Sequence, residues 1–225
     1  MTGPAVVMPV WNGAAYLPEA IASLRAQTLQ PSEVVVVDDG STDGSGELAA
    51  TLMLEARVVR QENGGVAAAL FRGVRETTAD IVAFLESDDV WLPEKLAREA
   101  AVFAANPDVF WTLCHTDVFL QPGCVLPVWL RPGSLDGPTL VAFMSALAVR
   151  REAFVRAGEF DPSYPYAQDT EWMMRAQAAG LQRATLPEVL VRRRVHDANL
   201  SGRSDHPATM LRVLRAAARR HGERS

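Results

Sequence analysis

The chain has 225 residues, 48% hydrophobic and 22% charged, so it can bury a sizeable core and is not a disordered protein. Its net charge of -5 argues against nucleic acid or a membrane surface as a general partner, though it leaves room for a local basic patch. Two cysteines, Cys114 and Cys124, lack CxxC spacing, which excludes a disulfide scaffold or zinc site and predicts reduced thiols in a cytoplasmic protein.

No apolar run approaches the ~18 residues of a membrane span, so no transmembrane segment is expected. The first residues lack a signal-peptide pattern. The run Ala5 to Val10 predicts a strand, which Trp11-Asn12-Gly13 breaks. Leu17, Ile21 and Leu24 then recur at helical spacing within 14–28. Four consecutive valines, Val34 to Val37, predict a strand buried on both faces of a parallel sheet. It runs into Asp38-Asp39-Gly40-Ser41-Thr42-Asp43, a loop in which Ser41 or Thr42 is expected to cap a helix over 43–54.

Arg57 to Arg60 predicts a third strand, and Asn63-Gly64-Gly65 a turn before an alanine-rich helix to about 76. Ile81 to Leu85 predicts a fourth strand, which delivers Glu86, Asp88 and Asp89 at its end. Helices are expected over 91–105, 151–157 and 168–179, and strands over 109–119 and 189–195. Residues 121–138 are rich in proline and glycine and predict an irregular loop, with an apolar run at 144–150. A basic amphipathic helix over 210–221 closes the chain, carrying Arg212, Arg215, Arg219 and Arg220. A docked helix with a solvated basic face is expected there, with a membrane-surface or homodimer contact as the alternative.

Alternating strands and helices predict an α/β fold with a mainly parallel sheet covered on both faces. Ligands of such sheets bind outside the carboxyl ends of the strands, where all four polar breaks fall. Crowded carboxylates repel, and a divalent cation relieves that repulsion; a solvated acidic turn with a helix cap is the other reading. Asp38 and Asp39 suit hydrogen bonds to a nucleobase or ribose, and Asp43 suits helix capping. Trp11 can stack on a base or pack under its loop. Asp169, at a helix start, is either a dipole-stabilised acid or a catalytic base. His196 matters chemically only if its loop faces the acidic cluster.

Several stretches together resemble glycosyltransferase family 2, inverting enzymes with the GT-A fold. They are Val7 to Tyr16 (VMPVWNGAAY), Ser23 to Ser45, Asn63 to Gly73, Ala79 to Leu96 (ADIVAFLESDDVWLPEKL), Gln168 to Arg175 and His196 to Ser201. The resemblance implies one GT-A domain over 1–203, a Rossmann-like sheet with a smaller acceptor-side β region, and a docked helix over 204–225. It implies a nucleotide-diphosphate sugar donor held by Pro9, Trp11, Asp38, Asp39, Asn63, Gly65, Glu86, Ser87 and Asp88. It implies Mg²⁺ or Mn²⁺ at Asp88, with Asp89 and His196 beside it, and Asp169 as the base that deprotonates an acceptor hydroxyl. The acceptor would be a glycan, a lipid-linked molecule or a small molecule.

Three departures stand out. Glu86 replaces the family's first motif Asp, and Gln168 replaces its Glu before the catalytic Asp. Leu70 and Phe71 stand where the family has an Arg-Asn pair, and Arg72 lies about 100° or more round the helix from either position. A catalytically idle nucleotide-sugar binding protein is the main rival. A nucleotidyltransferase would need a basic glycine-rich loop near the start, and a dinucleotide-binding oxidoreductase a Gly-x-Gly-x-x-Gly after the first strand. Neither is present. A phosphatase is excluded because Val37 stands where its paired nucleophilic Asp would be.

Overall fold

A computed structural model of the chain describes residues 3–128, 130, 133–202 and 206–222. The expected boundary at 203/204 lies outside the described residues. Four strands form a parallel half-sheet: β1 (Ala5–Val10), β2 (Val34–Asp38), β3 (Arg57–Arg60) and β4 (Ile81–Phe84). The helices between them are α1 (Leu17–Arg25), α2 (Ser45–Leu52) and α3 (Val66–Arg75). Next come β5 (Val90–Trp91), α4 (Lys95–Ala105), β6 (Val109–Leu120), β7 (Leu147–Arg150) and α5 (Arg151–Ala157). The last elements are α6 (Gln168–Ala178), β8 (Gln182–Val195) and α7 (His206–Gly222).

All eight strands join one sheet in the order β3-β2-β1-β4-β7-β6-β8-β5. The β3-β2-β1-β4 half is parallel, as the sequence predicts. Beyond it the sheet is mixed, because β7 runs antiparallel to both β4 and β6, and β5 antiparallel to β8. The mixed half stands where the sequence predicts a smaller β region, and its long strands β6 (12 residues) and β8 (14 residues) make it the larger half. The valines of β2 are buried on both faces, which explains why they do not alternate with polar residues.

Strand β8 is longer than the 189–195 run predicts. Its ladder with β6 shifts register between Cys114 and Thr116, passing from Leu186 to Val189 and then Val191 as partners. A bulge there accommodates Pro187, which has no N–H to give a ladder, so proline hides a strand that continues on both sides. Helix α1 is shorter than its periodic segment, since Gly13 to Tyr16 is spent in a turn. No described helix is long and apolar enough to cross a membrane.

The order in which strands are added reverses between β1 and β4. From β1 the chain steps outward to β2 and β3, then crosses back to β4 on the other side. The crevice at such a switch point is where these sheets bind ligands. Pro9 helps open it. Pairing of β1 with β4 stops at Val7, whose carbonyl takes the Leu85 N–H, while β1 stays paired with β2 through Pro9 to Val10. Strand alternation aims the nitrogen of Pro9 at the β4 side, where it has no hydrogen to offer.

Helix α3 lies close on β1 and β2 at Gly73, where a β-carbon would sit 2.3 Å from Val7 Cγ1. Gly73→Ala is expected to cost about 1–3 kcal/mol through overpacking, read as a fall in Tm; an unchanged Tm would show that α3 is not seated there. Burial pushes the Cys114 thiol up to about 11, whereas Cys124 is only partly buried. Thiol titration at pH 8 should label Cys124 alone in the native protein and both cysteines in denaturant.

Candidate active site

The loops after β1 and β2 are zipped together. The N–H groups of Asn12, Gly13 and Ala14 donate to Ser41 Oγ, Ser45 Oγ and Asp43 Oδ2, each at 3.0 Å. Asn12, at φ 50°, returns its Oδ1 to the Thr42 N–H at 2.9 Å. These bonds correct the expected caps. Gly44 is the N-cap of α2 and no side chain caps that helix, because Ser41 serves the neighbouring loop. Asp43 does support the helix start, accepting the N–H and hydroxyl of Ser45.

Asp38 and Asp39 do not present their carboxylates to a ligand. Asp38 is fully buried, with Oδ1 accepting the Ser41 N–H and Oδ2 lying 3.5 Å from Arg60 Nη1. A β-carbon at Gly46 would come 2.5 Å from that Oδ2, so Asp38 packs under the start of α2. Asp39 accepts from Gln61 Nε2, Gly64 N–H and Gly65 N–H, and its carbonyl takes the Asn63 side-chain amide. Asn63 and Gly65, at φ 85°, are thereby folded against Asp39. The chemical reason is shared: buried carboxylates attract backbone donors, and a glycine-rich turn supplies them without obstruction. Trp11 is 49% exposed and free to stack. Ser87 approaches Gly13, where a β-carbon would meet its Oγ at 2.8 Å.

The acidic stretch after β4 is sorted by its hydrogen bonds. Asp89 is buried and both its oxygens are taken, Oδ2 by the Ser145 hydroxyl at 2.6 Å and Oδ1 by the Arg194 N–H at 3.0 Å. Asp89 is therefore a brace between β4, β8 and the 144–146 turn, and its expected place among the metal ligands is corrected. Ser145 also accepts the Glu86 N–H, and its carbonyl takes the Trp91 indole N–H.

Asp88 keeps an outward carboxylate. Its Oδ2 takes Asn199 Nδ2 at 3.2 Å and lies 2.9 Å from His196 Nε2; Oδ1 takes no donor among the described residues. The Ala198 N–H points at His196 Nδ1, so Nδ1 accepts and Nε2 carries the proton given to Asp88. With both nitrogens engaged, His196 orients Asp88 from behind. The Tyr16 ring packs on the imidazole, centroids 4.3 Å apart.

Arg194 holds this arrangement from beneath. It is 5% exposed, and its guanidinium donates to the Asp88 carbonyl, Gln121 Oε1 and Glu19 Oε2. It also lies over Tyr16 and Phe119. Ser145, Arg194 and Tyr16 escape a reading of the sequence because their partners are far along the chain; the one local hint is the run Arg192-Arg193-Arg194 at a strand end.

Glu86 is held well above the usual carboxylate range, first by burial, then by the charges of Asp89, Asp88 and Asp169, with Arg193 opposing. Burial and then Asp88 push Asp89 up to about 7. Glu86, Asp88, Asp89 and Asp169 thus share one electrostatic site. Asp169 reaches it from the first turn of α6, whose N-cap Ala167 is left-handed at φ 59°. Among the described residues no three His, Cys, Asp or Glu side chains are arranged to hold a metal by themselves. The donor set fits a hard cation of the Mg²⁺ or Mn²⁺ kind shared with a ligand's phosphates, since such ions use one or two carboxylates.

Residues 5–119 match the family model described as glycosyl transferase family 2. An uncharacterised glycosyltransferase of Nostoc is 40% identical over 117 residues, 50% of this chain and 36% of the relative. One from Rickettsia typhi is 30% identical over 207 residues, 86% of this chain and 64% of the relative. The chain therefore spans between about a third and two thirds of the length of these curated relatives. Two solved structures share its fold. A Pyrobaculum calidifontis mannosyltransferase in complex with GDP-Man and Mn²⁺ superposes with a TM-score of 0.75 at 20% identity, over 97% of this chain and 65% of that one. Staphylococcus aureus TarS 1-349 in complex with UDP gives 0.73 at 20%, over 98% and 65%.

Removing the Ser145 hydroxyl would strip a partner from the Asp89 carboxylate and the Glu86 N–H together. Ser145→Ala is expected to cost about 1–3 kcal/mol, measured by urea unfolding; a cost near zero would mean that the brace is not formed in solution.

Proposed function

Because the chain belongs to glycosyl transferase family 2, we propose that it transfers a sugar, with inversion, from a nucleoside-diphosphate sugar to an acceptor hydroxyl. The reading draws its main support from the charges of Asp88 and Asp169, which different elements deliver and which both act on the Glu86 carboxyl. The bound GDP-Man and Mn²⁺ of the Pyrobaculum enzyme, and the bound UDP of TarS, support a donor of this class.

Trp11 offers its exposed ring to the nucleobase. Glu86 faces the ribose, whose hydroxyls its carboxyl can engage. Asp88 would hold Mg²⁺ or Mn²⁺, which would supply neutralisation of the departing diphosphate's charge. His196 and Asn199 keep Asp88 aimed outward. Asp169 takes the proton of the acceptor hydroxyl as its oxygen attacks the anomeric carbon, and the fixed placement of both substrates lowers the entropic barrier. Arg72 does not replace the family's missing Arg, since it pairs with Glu76 at 2.7 Å on the outer face of α3. Arg193, which faces Glu86 and Asp89, is the cation that takes its place beside the diphosphate. A cytoplasmic setting suits this donor.

Asp88→Asn and Asp169→Asn are each expected to lower transfer by about 100-fold or more while leaving Tm within a few degrees. A panel of nucleotide-sugars with Mn²⁺ would measure this, and near-normal turnover in either variant would overturn that assignment. UDP or GDP with Mn²⁺ should raise the Tm of the wild type, by about 2.7 kcal/mol of stability at a hundredfold excess over Kd. Asp88→Asn should lose that rise and Asp169→Asn should keep it.

A further inference from the structure

Helix α7 carries a second concave surface. A groove of about 490 Å³ is lined by Tyr164, Ala208, Arg212, Arg215, Ala216 and Arg219. Positions 212, 215 and 219 fall within about 60° of one another on a helix of 3.6 residues per turn. The three guanidiniums thus line one side of the groove, and the alanines leave its floor open. Elsewhere on the surface, Arg57, Arg72, Arg98, Arg156 and Arg192 each pair with a carboxylate. Arg212, Arg215 and Arg219 have no carboxylate within ion-pair distance among the described residues, in a chain whose net charge is -5.

The groove is organised before any ligand arrives. Arg212 donates to the Ser163 carbonyl and lies 4.2 Å over the Tyr164 ring. Tyr164, Ala167 and Val213 pack together, with Met174 and Met210 against them. Ala167 is the N-cap of α6, two positions before Asp169. The groove and the base proposed to receive the acceptor are therefore built on one segment.

We propose that this groove is an anion subsite that takes a phosphate or diphosphate group carried by the acceptor. The inference rests on the glycosyltransferase reading for its word "acceptor", but not for the anion. Three planar guanidiniums match the charge and the bidentate oxygens of a phosphate ester better than those of a single carboxylate. The volume lies in the range of small-molecule sites. Exposed Leu211 and Leu214 adjoin the basic arc, which would suit an anionic bilayer; the concavity and the tethered Arg212 favour the phosphate.

The test is calorimetric titration of the full chain with inorganic pyrophosphate in EDTA at fixed ionic strength. Without metal, the carboxylates near Asp88 repel this probe. Saturable binding is expected in the wild type and in Asp88→Asn. It should weaken at least tenfold in an Arg215→Gln, Arg219→Gln variant whose Tm without probe is unchanged. Equal binding in that variant, or binding lost in Asp88→Asn, would overturn the subsite. So would a wild type that ignores pyrophosphate but pellets with phosphatidylglycerol vesicles through the same arginines. No sugar transfer enters this measurement, so a negative result would leave the proposed reaction standing.

Discussion

Everything at the working end of the sheet depends on one electrostatic constraint. Glu86, Asp88, Asp89 and Asp169 share a region that burial makes expensive for charge. Their mutual repulsion is relieved in three ways. Asp89 is wrapped by a hydroxyl and a backbone N–H. Asp88 is met by His196 and Asn199. Glu86 is left with a raised proton affinity. What stays unbalanced is the outward side of Asp88 and Glu86, and that is where added positive charge is most favourable.

The same economy governs the neighbouring loops. Asp38, Asp39 and Asp43 look like ligand-binding acids in one dimension, yet each accepts from donors in adjoining turns, with Asp38 Oδ2 left beside Arg60. Buried carboxylates here act as staples. Asp39 gathers the Asn63 to Gly65 turn, Asp43 joins the first two loops, and Asp38 seats α2. The crevice keeps its shape because these acids look inward, which leaves Trp11 and the Glu86 to Asp88 segment as its outward chemistry. Pro9 adds to this by denying β4 a partner just where the strands part.

Arg194 links the halves of the molecule. It ties α1 through Glu19, the end of β6 through Gln121, and the Asp88 carbonyl, all from the far end of β8. The acidic loop therefore rests on residues more than a hundred positions away in the chain. On the other flank, α6 brings Asp169 to the site and α7 supports α6 from outside.

The sequence by itself determined the strand and helix alternation, the parallel half-sheet and the switch-point location of the polar breaks. These follow from local periodicity and from residue type, which the chain carries at every position. It could not sort the acids. Asp38, Asp39 and Asp89 have the same chemistry in one dimension as Asp88, and whether a carboxylate is available depends on which donors reach it. Those donors, Ser145, Arg194 and the glycine-turn amides, come from distant segments or from backbone groups that carry no sequence signal. Pro187 masked half of β8 for a related reason, since only a paired neighbour shows that a strand continues through a bulge. Only the tertiary structure decided that Asp88 faces out, that His196 stands behind it, and that the arginines of α7 close on Tyr164, because each depends on contacts between segments whose spacing in the chain leaves no periodic trace.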